Sequence, residues 1–256
     1  MVVACEQLLQ EAEAEPPIPV ERVASLRGIV DVRRQLQEWA GMLAPVPRGG
    51  LVVTVRASDG YERQRFTICH EVGHTFFPGF HQQKRYRCNG AKTRLEQLCD
   101  LAGSELLLPR RFFISDLRRA SFDWESVEDL AERYQASIEA TALRTVDLWA
   151  EQPAMLMVLR QRHKPAEAGR EHLAEPRLRL DYCHASGKWP YALTHKSVGD
   201  DSPLAAAFAG ELVDLERADV DELFCSDVGP VELHAKRYGA DGRVLALIRP
   251  KGGNSA

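Results

Sequence analysis

The residues best equipped for chemistry are His70-Glu71-Val72-Gly73-His74. On an α-helix, positions i and i+4 share a face one turn apart, so imidazoles at this spacing can point at one metal ion. Glu71 is rotated by about 100° from His70, which sets its carboxylate beside such an ion rather than on it. Zinc held by three protein donors keeps a fourth position open for water and lowers the pKa of that water to about 7. A carboxylate placed as Glu71 is can take the proton and pass it to a leaving amine. The plain alternative is a solvated helix with two incidental histidines. Phe66, Ile68, Val72, Phe76 and Phe77 argue against it, because two histidines without partners in a buried helix would be costly.

A third donor has to come from downstream. His81 does not fit a HExxHxxGxxH pattern, since Phe77 and Phe80 stand where that pattern needs Gly and His. Glu96 is better placed, with Asp100 four residues later on the same helical face. Glu96 would coordinate the ion, and Asp100 would accept the outer N–H of a ligating histidine and fix its tautomer. The same pair could be merely an acidic first turn favoured by the helix dipole. Beside HExxH the ligand reading is preferred. The cofactor expected is one zinc ion per chain on His70, His74 and Glu96.

Two helices must carry these groups. Residues 65–76 have helical character and stop at Pro78-Gly79, and residues 93–108 form a long amphipathic helix stopped by Pro109. Leu95, Leu98, Cys99, Leu101, Ala102, Leu106 and Leu107 offer that second helix a face to bury. Ahead of both, Leu51, Val52, Val53, Thr54 and Val55 form a β-branched strand ended by Asp59-Gly60. As an edge strand it could bind an extended substrate by β-augmentation; an ordinary core strand is the equal alternative. Residues 2–14, 20–26 and 32–42 carry apolar side chains at helical spacing, interrupted by Pro16-Pro17-Ile18-Pro19. An oxyanion stabiliser has no spacing argument behind it; Arg63, Arg65, His81 and Tyr86 are the candidates. Cys69 precedes His70 and could sense oxidation, although a buried inert thiol is the simpler reading.

Taken together, Arg63-Gln-Arg-Phe-Thr-Ile-Cys-His-Glu-Val-Gly-His74 and Glu96-Gln-Leu-Cys-Asp-Leu-Ala-Gly-Ser-Glu-Leu-Leu-Leu-Pro109 resemble the ImmA/IrrE metallopeptidases. That family's pattern is RFT-x-x-HE-x-GH, then E-x-x-A-[ND]-x-F-A-x-x-L-L-x-P. The resemblance extends over residues 5–150, with its specific part in 63–109. It implies a gluzincin-like minimal protease domain in the cytoplasm that cleaves a helix-turn-helix repressor or antitoxin and so derepresses genes. His70, His74 and Glu96 fall on the family's zinc ligands, and Glu71 on its general base. Cys99 stands in place of the usual Ala, and Ala102-Gly103 in place of Phe-Ala, which alters packing behind Glu96 rather than the ligands.

Residues 125–150 form two helices broken at Gln135-Ala136-Ser137 and look like a helix-turn-helix. A DNA-reading helix should be positive. Residues 138–148 carry Glu139 and Asp147 against Arg144, so a packing unit completing the protease core is preferred and DNA is an unlikely partner. Beyond Pro153, residues 155–159 and 178–182 read as strands, 202–215 as a helix, and 231–238 with 243–248 as a hairpin around Ala240-Asp241-Gly242. His184, His195 and His234 have no ligand spacing and read as structural or exposed.

The expected fold class is therefore α+β: a mainly helical, minimal zincin-like protease domain with a small sheet over residues 1–152, then a smaller α+β domain over 153–256 that senses a signal or recruits substrate. The chain has 256 residues, 45% of them hydrophobic and 27% charged, which excludes a disordered or fibrous protein. No run of about 18 apolar residues is present, so no membrane span is expected. The N-terminus has no secretory pattern, and six cysteines without a CxxC pair suit a reducing cytoplasm. The net charge of −4 hides a positive stretch, residues 84–119, with nine basic residues against four acidic. Such a stretch is either a solubilising loop or a rim for an anionic partner, and its position around Glu96 suits an acidic substrate segment better than DNA. The competing function is a DNA-binding transcriptional regulator with a structural or vestigial metal site. A non-enzymatic binding module is disfavoured because it would have no use for Glu71.

Overall fold

The computed structural model describes residues 1–47, 49–80, 85–87, 93–169, 175–239 and 241–251. The fold is α+β, helical early and rich in sheet late. Contacts divide the chain into two compact units, Met1–Arg119 with Asp129–Thr141, and Ala120–Glu128 with Ala142–Ala256.

In the first unit, α1 (Val2–Glu11) and α2 (Val20–Ser25) precede β1 (Ile29–Gln35), β2 (Gly41–Pro45) and β3 (Leu51–Arg56). There follow α3 (Tyr61–His74), β4 (Arg85–Arg87), α4 (Arg94–Leu107) and α5 (Arg110–Leu117). The four strands pair in the order β1-β3-β2-β4, with β1 parallel to β3 and the other two pairings antiparallel. Residues 32–42 are not a helix: they fall in β1, β2 and the turn between them. Only Ile29 of β1 is buried, so this strand lacks the alternating signature and its side chains fell at helical spacing by chance. Leu51, Val52, Val53, Thr54 and Val55 are not an edge strand either. They form β3, hydrogen-bonded on both sides and buried along those five residues, so no backbone edge is left for a substrate.

Helix α3 is buried from Ile68 through His74. Its C-terminus is held by Arg27, whose guanidinium donates to the Thr75 carbonyl at 2.7 Å and to Thr75 Oγ1 at 2.9 Å, a cation where the helix dipole is negative. The buried Arg65 donates to the carbonyls of Ile18 at 2.8 Å and Gln135 at 3.0 Å. Helix α4 starts at Thr93, whose hydroxyl accepts from the Glu96 amide at 3.3 Å, a normal N-cap bond. It packs on α3 where side chains are smallest: a Cβ on Gly73 would lie 2.9 Å from Ala102 Cβ, and one on Gly103 would lie 3.1 Å from the Phe66 ring. Leu101, expected on the buried face, is 38% exposed. Residues 81–84 and 88–92, including His81, Lys84 and Lys92, lie outside the described residues. Residues 85–87 pair with β2 as β4.

The helices α6 (Trp124–Tyr134) and α7 (Ile138–Leu148) break at Gln135, which has φ +49°. The division into units runs through this pair rather than at residue 152. The Trp124 indole donates to the His234 carbonyl at 2.9 Å, and Glu128 accepts from Lys236 and Tyr238. Tyr134, in contrast, donates to Asp116 at 2.7 Å. The second unit then builds an antiparallel sheet from β5 (Met155–Arg162), β6 (Arg177–Ala185), β7 (Val213–Ala218), β8 (Val231–Tyr238) and β9 (Arg243–Pro250), in the order β6-β5-β9-β8-β7. The central strands β5 and β9 are buried on both faces, and α8 (Pro203–Ala209) buries Leu204 and Ala207 against the same core. The helix expected over 202–215 ends early because Gly210 turns left-handed, with φ +108°, and Val213 already belongs to β7. Among the described residues no helix is long and apolar enough to cross a membrane.

Candidate metal centre

Helix α3 supplies His70, Glu71 and His74, which are 1%, 0% and 2% exposed. One turn separates the two imidazoles, whose ring centroids lie 5.1 Å apart and whose planes cross at 78°. Helix α4 supplies Glu96 from its first turn and Asp100 from the next. His70 Nε2 is 3.1 Å from one Glu96 oxygen, and His74 Nε2 is 3.5 Å from the other. The hydrogen bond from His70 holds the Glu96 carboxyl below its ordinary range, helped by the charges of His74 and His70 and opposed by partial burial and by Asp100. Asp100 Oδ1 lies 2.9 Å from His70 Nδ1, on the opposite edge of that ring from Glu96. The structure thus brings His70, His74, Glu96 and Asp100 together.

A metal ion fits this donor set. Donors arranged tetrahedrally around zinc at about 2.0–2.1 Å stand about 3.3 Å from one another, close to the 3.1 and 3.5 Å found between the imidazole nitrogens and Glu96. Cys99 adds a further group. Its sulfur lies 3.3 Å from His74 Nδ1, and His70, His74 and Cys99 form a cluster compact enough to hold a metal. Sequence reasoning treated Cys99 as packing only. Its spacing of three residues from Glu96 was a signal that it lies beside the proposed ligand on the helix surface.

Glu71 points toward the sheet. A Cβ on Gly41 of β2 would sit 2.5 Å from Glu71 Oε1 and 2.5 Å from Thr67 Cγ2, so only glycine lets this strand run so close to the carboxylate. Nothing in the local sequence announced Gly41, because the contact is made across the fold. Of the oxyanion candidates, Arg65 is committed to backbone carbonyls and Arg63 pairs with Asp59 at 3.4 Å. His81 and the side chain of Tyr86 lie outside the described residues. Burial pushes the Cys69 thiol up to about 12, which makes it the inert thiol rather than a sensor. The three histidines singled out beyond residue 153 are held elsewhere: His184 on Asp147, His195 on Arg162, and His234 between Asp214 and Glu232.

Residues 24–145 match the family model Peptidase_M78, the IrrE N-terminal-like domain. The family resemblance carried by the two motifs is shown for that stretch of the chain. The radiation response metalloprotease IrrE of Deinococcus radiodurans is 28% identical over 91 residues, 34% of this chain. The match spans 28% of that relative's length. A transcriptional regulator of Mycobacterium tuberculosis has a similar fold, with a TM-score of 0.63 at 15% identity over 97% of this chain and 76% of that one.

Proposed function

We propose that this protein is a cytoplasmic zinc endopeptidase that cleaves a protein substrate, a helix-turn-helix repressor or antitoxin, and so regulates transcription in a stress response. The observation that carries the reading is the convergence of His70 Nε2 and His74 Nε2 on the Glu96 carboxylate at 3.1 and 3.5 Å. His70, His74 and Glu96 would hold the ion, which when bound supplies a Lewis acid that acidifies water and draws charge from the substrate carbonyl. Glu71 takes the proton of the attacking water and delivers it to the amide nitrogen as the C–N bond breaks. Asp100 accepts from His70 Nδ1 and keeps the Nε2 lone pair toward the ion. The substrate class rests on the family resemblance. The second unit would sense a signal or recruit that substrate.

Purified protein should contain about one zinc per chain. Glu71→Gln should keep that zinc and lose cleavage of the partner repressor by about 100-fold or more. A chain without metal, or a Glu71→Gln variant that still cleaves fully, would sink the proposal. The rival reading, a DNA-binding regulator, draws support from the helix pair α6 and α7. It is weakened by Arg144, the one basic residue of α7, which is 2% exposed and so is poorly placed to meet phosphate. Steeply salt-dependent binding of duplex DNA that survives zinc removal and Glu71→Gln would favour that rival.

A further inference from the structure

We infer that Cys99 is a positioning residue of the metal site: its sulfur accepts the Nδ1–H of His74 and so fixes the tautomer whose Nε2 lone pair faces the ion. The inference rests on the metal site proposed above. Glu96, Cys99 and Asp100 occupy positions i, i+3 and i+4 of α4 and share one face of it. That face packs closely on α3, so closely that a Cβ on Gly73 would lie only 3.1 Å from Cys99 Cα. The sulfur, itself 0% exposed, is thereby held 3.3 Å from His74 Nδ1. Each imidazole is gripped in the same way. His70 has Nδ1 on Asp100 and Nε2 on Glu96, and His74 has Nδ1 on Cys99 and Nε2 on Glu96. A neutral imidazole that donates from Nδ1 keeps its lone pair on Nε2, so the outer acceptor decides which nitrogen can ligate.

Cys99 as a ligand in its own right would make a different site. His74 would have to serve through Nδ1, the nitrogen nearest the sulfur, and its Nε2 would be left facing Glu96. The contacts favour the outer role, because both Nε2 atoms already face one carboxylate.

The test compares the unaltered full chain with Cys99→Ala, Cys99→Val and Cys99→Ser. Ala stands at this position in the family pattern, Val fills it with a slightly larger apolar group that cannot accept, and Ser keeps an acceptor. Zinc Kd is measured by competition with a chelator, and helical circular dichroism verifies folding of each variant. Ala and Val should weaken zinc about tenfold or more, and Ser should recover part of that loss. The Co(II)-loaded unaltered chain should show no sulfur-to-cobalt charge-transfer band. An unchanged Kd in the folded Ala and Val variants overturns the inference alone. So does a Ser variant as weak as Ala, or a charge-transfer band that disappears in Cys99→Ala. If the unaltered chain binds no zinc, the metal-site reading falls, and this inference with it.

Discussion

His70 illustrates how little freedom the site leaves its side chains. Asp100 holds one nitrogen at 2.9 Å and Glu96 faces the other at 3.1 Å, so the ring can neither flip nor change tautomer without losing a partner. Removing the outer acceptor should therefore loosen the metal rather than the fold. Asp100→Ala is expected to weaken zinc 10- to 100-fold, with Asp100→Asn less affected because its amide oxygen still accepts; chelator competition measures both. Gly41→Ala tests the other side of the site. Its methyl would fall 2.5 Å from Glu71 Oε1 and from Thr67 Cγ2, an overpacking that costs about 1–3 kcal/mol. Urea midpoints should show that loss, and cleavage should fall with it because Glu71 has to move. The pairing of His70, Glu71 and His74 was legible in the sequence because it lies within two turns of one helix. The contacts of Cys99 and Gly41 were not, because each is made between elements whose approach no local pattern encodes.

Among elements, α4 matters most, since it carries Glu96, Cys99 and Asp100 to α3. Its start is fixed by the Thr93 hydroxyl on the Glu96 amide at 3.3 Å, so the cap holds the backbone of the residue proposed to ligate. Thr93→Ala should cost about 1 kcal/mol of stability and also weaken zinc, because fraying of the first turn moves Glu96. A thermal melt and a zinc titration on the same variant check both halves, and a stability loss with unchanged zinc affinity would detach the cap from the site. Helices α3, α4, α6 and α7 were readable because apolar spacing and breakers such as Pro78 and Pro109 act locally. Strands β1 and β2 were not. β1 pairs with β3 in parallel, through backbone bonds that leave most of its side chains exposed and its pattern mute. The strand at residues 51–55 was readable as a strand, but its interior place depends on partners in β1, such as Ile29 for Leu51, and on β2. An edge and a central strand share the same β-branched composition.

At the scale of the whole molecule, the metal and the acid response of Glu232 should act on different units. Zinc that binds only the folded chain stabilises it by mass action, by about 2.7 kcal/mol at a hundredfold excess over Kd. Acid acts in the second unit through Glu232. Burial tends to raise its pKa, but the hydrogen bonds from Arg249 and His234 outweigh this, and the carboxyl is held below its ordinary value of 4.5. Arg249 meets it with two bonds of 2.8 Å, and His234 with one of 2.9 Å. A carboxyl whose folded pKa is depressed contributes stability that is fully present above its unfolded pKa. That contribution is lost as pH falls through the lower folded value. Glu232→Gln should therefore lower the urea midpoint at neutral pH and differ less and less from the unaltered chain below about pH 4.5. Measured in chelator, the difference between the two chains should follow the same course, because Glu232 lies outside the unit that carries the metal site. With zinc present at neutral pH, the increments should add. A Glu232→Gln deficit that grows toward acid would reverse the sign of this argument, and one that vanishes in chelator would tie Glu232 to the metal.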